Sequence, residues 1–108
     1  MFTPVPRVMV PATVAKGELF TVKALIGHKM DTGFRRDPGG QVIPRKIINK
    51  FVCRYDDVVV FSVDLHEAVA ANPFIEFRLR ATESGRLAFV WEEDGGGVYR
   101  LEHRISVA

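Results

Sequence analysis

At 108 residues the chain is long enough for one domain, 1–108, with a hydrophobic core of its own and no need of disulfide staples. Its 47% hydrophobic and 26% charged residues are the balance of a soluble globular protein, and a net charge of +2 without interleaved stacking aromatics excludes a nucleic-acid binder. No stretch approaches the roughly 18 consecutive apolar residues of a membrane span, and a single cysteine, Cys53, excludes an internal disulfide. Met1–Val14 lacks an early basic run and a continuous apolar segment, so no signal peptide is expected, and composition alone defaults to the cytoplasm.

The chain opens extended. Pro4, Pro6 and Pro11 oppose a helix and predict an edge strand over Arg7–Val10. Thr13–Gly17 reads as a turn. Glu18–Gly27 reads as a strand with Phe20, Val22, Ala24 and Ile26 on one face.

A long basic stretch follows, His28–Lys46. Lys29, Arg35, Arg36, Arg45 and Lys46 set against Asp31 and Asp37 give it +5 − 2 = +3, more than the net charge of the whole chain. Glycines at 33, 39 and 40 and prolines at 38 and 44 favour turns. Connections of this length inside a small domain are usually functional or disordered.

Strand character resumes over Ile47–Tyr55, with Phe51, Cys53 and Tyr55 on one face. Asp56-Asp57 is a two-residue turn candidate, less favourable than Asn-Gly, and Val58–Asp64 completes a hairpin. Leu65–Pro73 is too short for an independent helix and reads as an irregular crossover. Phe74–Ala81 alternates, with Ile75, Phe77 and Leu79 inward. Thr82–Gly85 is a turn, Arg86–Glu93 a strand with Leu87, Phe89 and Trp91 inward, and Asp94–Gly97 a loop. Val98–Val107 closes the chain with Tyr99, Leu101, His103, Ile105 and Val107 on one side. The pattern predicts an all-β fold, an antiparallel β-sandwich of about seven strands.

The residues that carry chemistry are sparse. His28, His66 and His103 have no local metal-ligand spacing, although His28 and Met30 together offer an imidazole and a thioether to soft copper. The plain alternative is a loop histidine bonded to backbone, and for His103 a satisfied, partly buried one. Cys53 beside Phe51 and Tyr55 reads as a small buried hydrophobe. The Asp94–Gly97 run lacks the Lys-Ser/Thr and helix of a phosphate loop. Catalytic residues, metal and cofactor are therefore expected to be absent, and the residues alone describe a binding or interaction sandwich.

Val22-Lys23-Ala24-Leu25-Ile26, His28-x-Met30-Asp31-Thr32-Gly33, Arg35-Arg36-Asp37 and Ile43-Pro44 together resemble the SoxZ family. Ala71-Asn72-Pro73-Phe74 and the Trp91 strand extend the resemblance over nearly the whole chain; Lys29 departs from the family's usual proline. The resemblance implies an immunoglobulin-like β-sandwich acting as the non-catalytic subunit of the SoxYZ thiosulfate-oxidation carrier complex. Its partner would be SoxY, which carries sulfur intermediates on a C-terminal Gly-Gly-Cys-Gly-Gly arm between Sox enzymes, with heterodimer or heterotetramer left open. Other Sox enzymes would make transient contacts. Such proteins act in the periplasm and are co-exported with a signal-bearing SoxY, which overrides the cytoplasmic default. On this reading Phe34 and Phe74 are candidate contacts, and Arg35, Arg36, Arg45 and Lys46 candidates to steer docking. His28, Met30, Thr32, Gly33, Asn72 and Pro73 are the family-motif positions. The competing readings are a copper-binding sandwich, a free-standing immunoglobulin-like interaction module and, for the cations, an ordinary solvated surface.

Overall fold

The computed structural model describes residues 5–27, 33–66 and 73–108. They form eight strands: β1 (Val5–Met9), β2 (Thr13–Val14), β3 (Leu19–Gly27), β4 (Ile48–Tyr55), β5 (Val58–Asp64), β6 (Phe74–Arg80), β7 (Gly85–Glu93) and β8 (Val98–Val107). They assemble into a three-stranded sheet, β1-β3-β6, and a five-stranded sheet, β2-β8-β7-β4-β5. The two pack as a sandwich, the architecture that period-two alternation requires when each sheet has one apolar face.

That alternation is plain in β3, where Phe20, Val22, Ala24 and Ile26 are buried and the residues between them are not. They meet Phe77 and Leu79 of β6, Phe51 and Cys53 of β4, and Leu87, Phe89 and Trp91 of β7 in one core. Phe51 is its centre: its ring lies 5.1 Å from Trp91 and 6.1 Å from Phe77, spacings typical of attractive aromatic pairs. Phe61 of β5 stacks on Phe77 of β6 at 4.2 Å, tying the two sheets together along one side.

The sequence reading is departed from at Thr13-Val14 and at His103, and met at the Asp56-Asp57 turn. Thr13-Val14 is a short strand rather than a turn, paired in parallel with Ser106-Val107 at the end of β8. The chain thus leaves one sheet after Met9 and joins the other by Thr13, with Pro11 between. Asp56 and Asp57 form the expected two-residue turn with φ of 48° and 69°, both in the left-handed region that a tight hairpin demands. Asp56 is held there from a distance, since its Oδ1 accepts the Arg86 backbone N–H at 3.0 Å. His103 faces inward and is half-buried as expected, yet its Nδ1 has no hydrogen-bond partner among the described residues.

Topology gathers several connections at one end of the sandwich. Phe74 pairs with Leu25 near the end of β3, and Val5 pairs with Gly27. β4 begins beside the end of β7, with Ile48 opposite Glu93. Residues 33–46 of the basic stretch, the start of β6 and the β7–β8 turn therefore share this end.

Candidate functional site

The described part of the basic stretch is a small hairpin. Arg36 and Val42 form an antiparallel bridge, and Ile43 N–H donates to Arg35 O at 2.8 Å. Asp37 N–H donates to Gln41 O at 2.9 Å, and Gly40 N–H closes a turn on Asp37 O at 2.9 Å. Pro38 takes the second position of that turn, where its fixed φ fits, and Gly40 supplies the left-handed φ of 82° that returns the chain. The Asp37 carboxylate caps the tip by accepting Gln41 N–H at 2.9 Å. At the base, a Cβ on Gly33 would sit 3.4 Å from Arg45 Cβ, so the two arms run close together there.

The base is latched to the β7–β8 turn. Arg45 Nε donates to Asp94 Oδ2 at 2.8 Å and Nη2 to Oδ1 at 2.9 Å, a two-pronged pair. Asn49 Nδ2 adds a bond to Oδ1 at 2.9 Å, and Ile47 N–H one to Oδ2 at 3.2 Å. The Arg45 bonds, helped by those from Asn49 and Ile47, hold the Asp94 carboxyl below its ordinary value against the opposing pull of burial. In return Asp94 N–H donates to Ile47 O at 3.0 Å.

A second ion pair lies alongside. Lys46 Nζ is 3.7 Å from Oε1 of Glu93, whose side chain is only 8% exposed, and Tyr99 O–H donates to Glu93 Oε2 at 3.0 Å. Burial and the Glu93 carboxylate push the Tyr99 phenol up. A Cβ on Gly97 would fall 2.7 Å from Glu93 Oε1, so the last glycine of the turn makes room for this carboxylate.

The candidate residues therefore divide. Phe34 is 82% exposed, and Arg35 and Arg36 beside it are exposed, with Arg36 Nη1 donating to Gly40 O at 2.8 Å. Arg45 and Lys46 each face a carboxylate instead of solvent alone. Phe74 is 55% exposed on the outer face of the three-stranded sheet, in a row with Leu25 and Arg7. Gly33 is half-buried and Pro73 buried. His28, Met30, Thr32 and Asn72 lie outside the described residues. Asp94 drew notice in the sequence only as the start of a glycine run, and Glu93 only as the end of a strand; the signal for their pairing was an acidic pair at one turn and a cationic pair, Arg45-Lys46, at the entry to a neighbouring strand.

The copper reading gains no cluster. His66 follows β5 and His103 sits in β8, and no group of three or more His, Cys, Asp or Glu side chains that could hold a metal ion occurs among the described residues. No helix among them is long and apolar enough to cross a membrane.

Comparison with known proteins places this architecture. Residues 8–104 match the family model described as sulphur oxidation protein SoxZ. No curated protein sequence matches the chain. Among solved structures, superoxide reductase (neelaredoxin) from Ignicoccus hospitalis is similar with a TM-score of 0.75 at 19% identity, over 95% of this chain and 80% of that one. The sulfur carrier protein SoxY from Chlorobium limicola f. thiosulfatophilum is similar with a TM-score of 0.65 at 17% identity, over 95% of this chain and 78% of that one. At these identities the two structures speak to the fold, which they share as immunoglobulin-like sandwiches.

Proposed function

The chain belongs to the SoxZ family of sulphur oxidation proteins, and from that premise we propose that it is a non-catalytic subunit that binds a SoxY protein to form a sulfur-carrier complex. The observation that carries the reading is the family match over residues 8–104, which runs from β1 into β8 and so takes in the core, the basic hairpin and its latch.

In this complex the sulfur cargo belongs to the partner, on a cysteine in a glycine-rich arm. The chemistry of this chain fits that division. Its one cysteine, Cys53, is fully buried and burial pushes its thiol up to about 12, so it supplies almost no thiolate at neutral pH. Its glycine run is occupied in closing the β7–β8 turn, with Gly95 and Gly96 at φ of 89° and 96°.

The hairpin serves docking. Phe34 offers exposed apolar area, and Arg35 and Arg36 offer exposed positive charge beside it, the combination that gives contact energy and electrostatic steering to an acidic partner surface. Arg45 and Lys46, balanced by Asp94 and Glu93, contribute by fixing the base of the hairpin. The place of action is the periplasm, reached together with the partner.

Co-purification tests the reading. A tagged chain exposed to extract of bacteria grown on thiosulfate is expected to retain, in stoichiometric amount, a SoxY-like protein ending in a glycine-flanked cysteine. If mass spectrometry finds no such protein on a folded bait, the reading is wrong.

A further inference from the structure

Among the described residues the three-stranded sheet ends on β1 and β6 and the five-stranded sheet on β2 and β5. An open strand edge is a template for another strand, and natural sheets blunt it by shortness, proline or charge. β1 carries Pro6, which has no N–H to offer, and β2 is two residues long. β6 interleaves Glu76, Arg78 and Arg80. β5 reads Val-Val-Val-Phe-Ser-Val-Asp, with no proline and no charge before Asp64. Its one irregularity is a bulge at Val60, since Cys53 faces Phe61 and Arg54 faces Val59. The bulge bends the strand without making it polar.

The same strand exposes apolar surface. Val58, Val59 and Val60 are 63%, 51% and 38% exposed, the one run of three consecutive exposed large hydrophobics among the described residues. Val58 and Val60 also line a shallow groove with Tyr55, Arg80 and Thr82. A β-branched, uncharged edge of this kind invites association unless something covers it.

Charge decides what covers it. Asp56 and Asp57 precede the strand and Asp64 ends it, all exposed. Two copies of β5 paired antiparallel would bring the Asp56-Asp57 end of each beside the Asp64 end of the other, twice over, and like charges facing across a ladder are destabilising. A strand with an apolar middle and Lys or Arg at its ends meets no such repulsion. A SoxY protein, being a sandwich of the same fold, has edge strands of its own to present.

We infer that β5 is the edge on which this chain receives a strand of its SoxY-like partner, an uncharged strand with basic flanks, so that the five-stranded sheet continues across the heterodimer. The identity of the partner rests on the proposed function; the choice of edge rests on β5 itself.

The test compares the wild-type chain, the double variant Val58→Lys with Val60→Lys, and an edge control, Glu76→Lys on β6, each checked for fold by circular dichroism and used to co-purify the partner. The expected result is about tenfold or greater loss of partner for the β5 variant and none for the control. In the wild-type complex, amides of 58–64 should exchange hydrogen at least about tenfold more slowly than in the isolated chain. Should the β5 variant misfold, this exchange measurement decides alone. Equal retention by the β5 variant, or unchanged exchange over 58–64, overturns the edge assignment while leaving the partner standing. A wild-type chain that retains no SoxY-like protein overturns the proposed function and this inference with it. An isolated chain that dimerises, and ceases to on the β5 substitutions, overturns the choice of occupant.

Discussion

Arg45 and Asp94 lie 49 positions apart in the chain and meet in a two-pronged ion pair at 2.8 and 2.9 Å. The pair joins the base of the basic hairpin to the β7–β8 turn, and Asn49 and the Ile47 N–H complete the coordination of the carboxylate. Asp94→Ala leaves four N–H donors on three residues without their acceptor, and about 2 kcal/mol of stability should go with it. Arg45→Ala leaves Asp94 its other two partners, and the Arg45 side chain is already 37% exposed, so about 1 kcal/mol or less is expected. Urea midpoints at unchanged slope measure both; equal losses from the two variants would mean that Asn49 and Ile47 contribute nothing.

Acid should act on the same latch. The folded-state pKa of Asp94 is depressed below its ordinary 3.8, so its contribution is complete above that value and is lost as pH falls through the lower folded value. Tyr99 is the opposite case at the alkaline end. Its folded pKa is raised above 10.0, so its contribution is complete below that value and is lost as pH rises through the folded one. Melting temperatures of Asp94→Asn and wild type should therefore converge as pH drops below 3.8. A difference that stays constant from pH 7 down to about 2 would contradict the assignment.

The strands were legible because each carries its own evidence. Val98–Val107 alternates over its full length, and Phe20, Val22, Ala24 and Ile26 declare the inner face of β3 without reference to any other strand. β2 was not legible, since two residues have no period and Thr13-Val14 becomes a strand only through Ser106-Val107 at the far end of the chain. The hairpin was half legible. Its turn residues were visible, but the bridge between Arg36 and Val42 depends on pairing that composition does not encode. The latch was invisible for the same reason as β2, and its absence from the sequence reading led Arg45 and Lys46 to be grouped with Arg35 and Arg36 as steering charges.

Gly85 and Asp56 make a second long-range pair that can be tested directly. A Cβ on Gly85 would collide with the Asp56 carboxylate, and Asp56 Oδ1 already accepts the Arg86 N–H. Gly85→Ala forces the carboxylate away and breaks that bond, at a cost of about 1–2 kcal/mol. Asp56→Ala removes the obstacle beforehand. The double variant should thus be less destabilised than the sum of the singles by about 1 kcal/mol, a coupling that a double-mutant cycle reads. Additive losses would place the strain elsewhere.

Cys53 should be silent in the native state. It is fully buried and its thiol is pushed up to about 12 by burial, so both access and thiolate are lacking. A chromogenic disulfide reagent at pH 8 is expected to titrate no thiol in the folded chain and one per chain in denaturant, matching the single cysteine of the sequence. Rapid native labelling would reopen a carrier role for this residue. Cys53→Ala, by contrast, should lower stability by roughly 1–2 kcal/mol through the cavity it leaves, without affecting partner retention.

Charge reversal on the hairpin separates steering from anchoring. Arg35→Glu with Arg36→Glu changes the local charge by four units on side chains exposed beside Phe34, away from the Asp94 latch. If these residues steer docking, association with an acidic partner surface should slow by about tenfold at low ionic strength, and the difference should fade near 1 M salt, where the screening length is about 3 Å. Dissociation should change little, because rim charges act on encounter more than on the formed contact. Reversing Lys46 alone should slow association less and lower stability instead, since its ammonium lies 3.7 Å from the buried Glu93 carboxylate. Stopped-flow association across a salt series distinguishes the two. Identical rates for wild type and the Arg35/Arg36 variant at low salt would reduce both arginines to ordinary solvated charges.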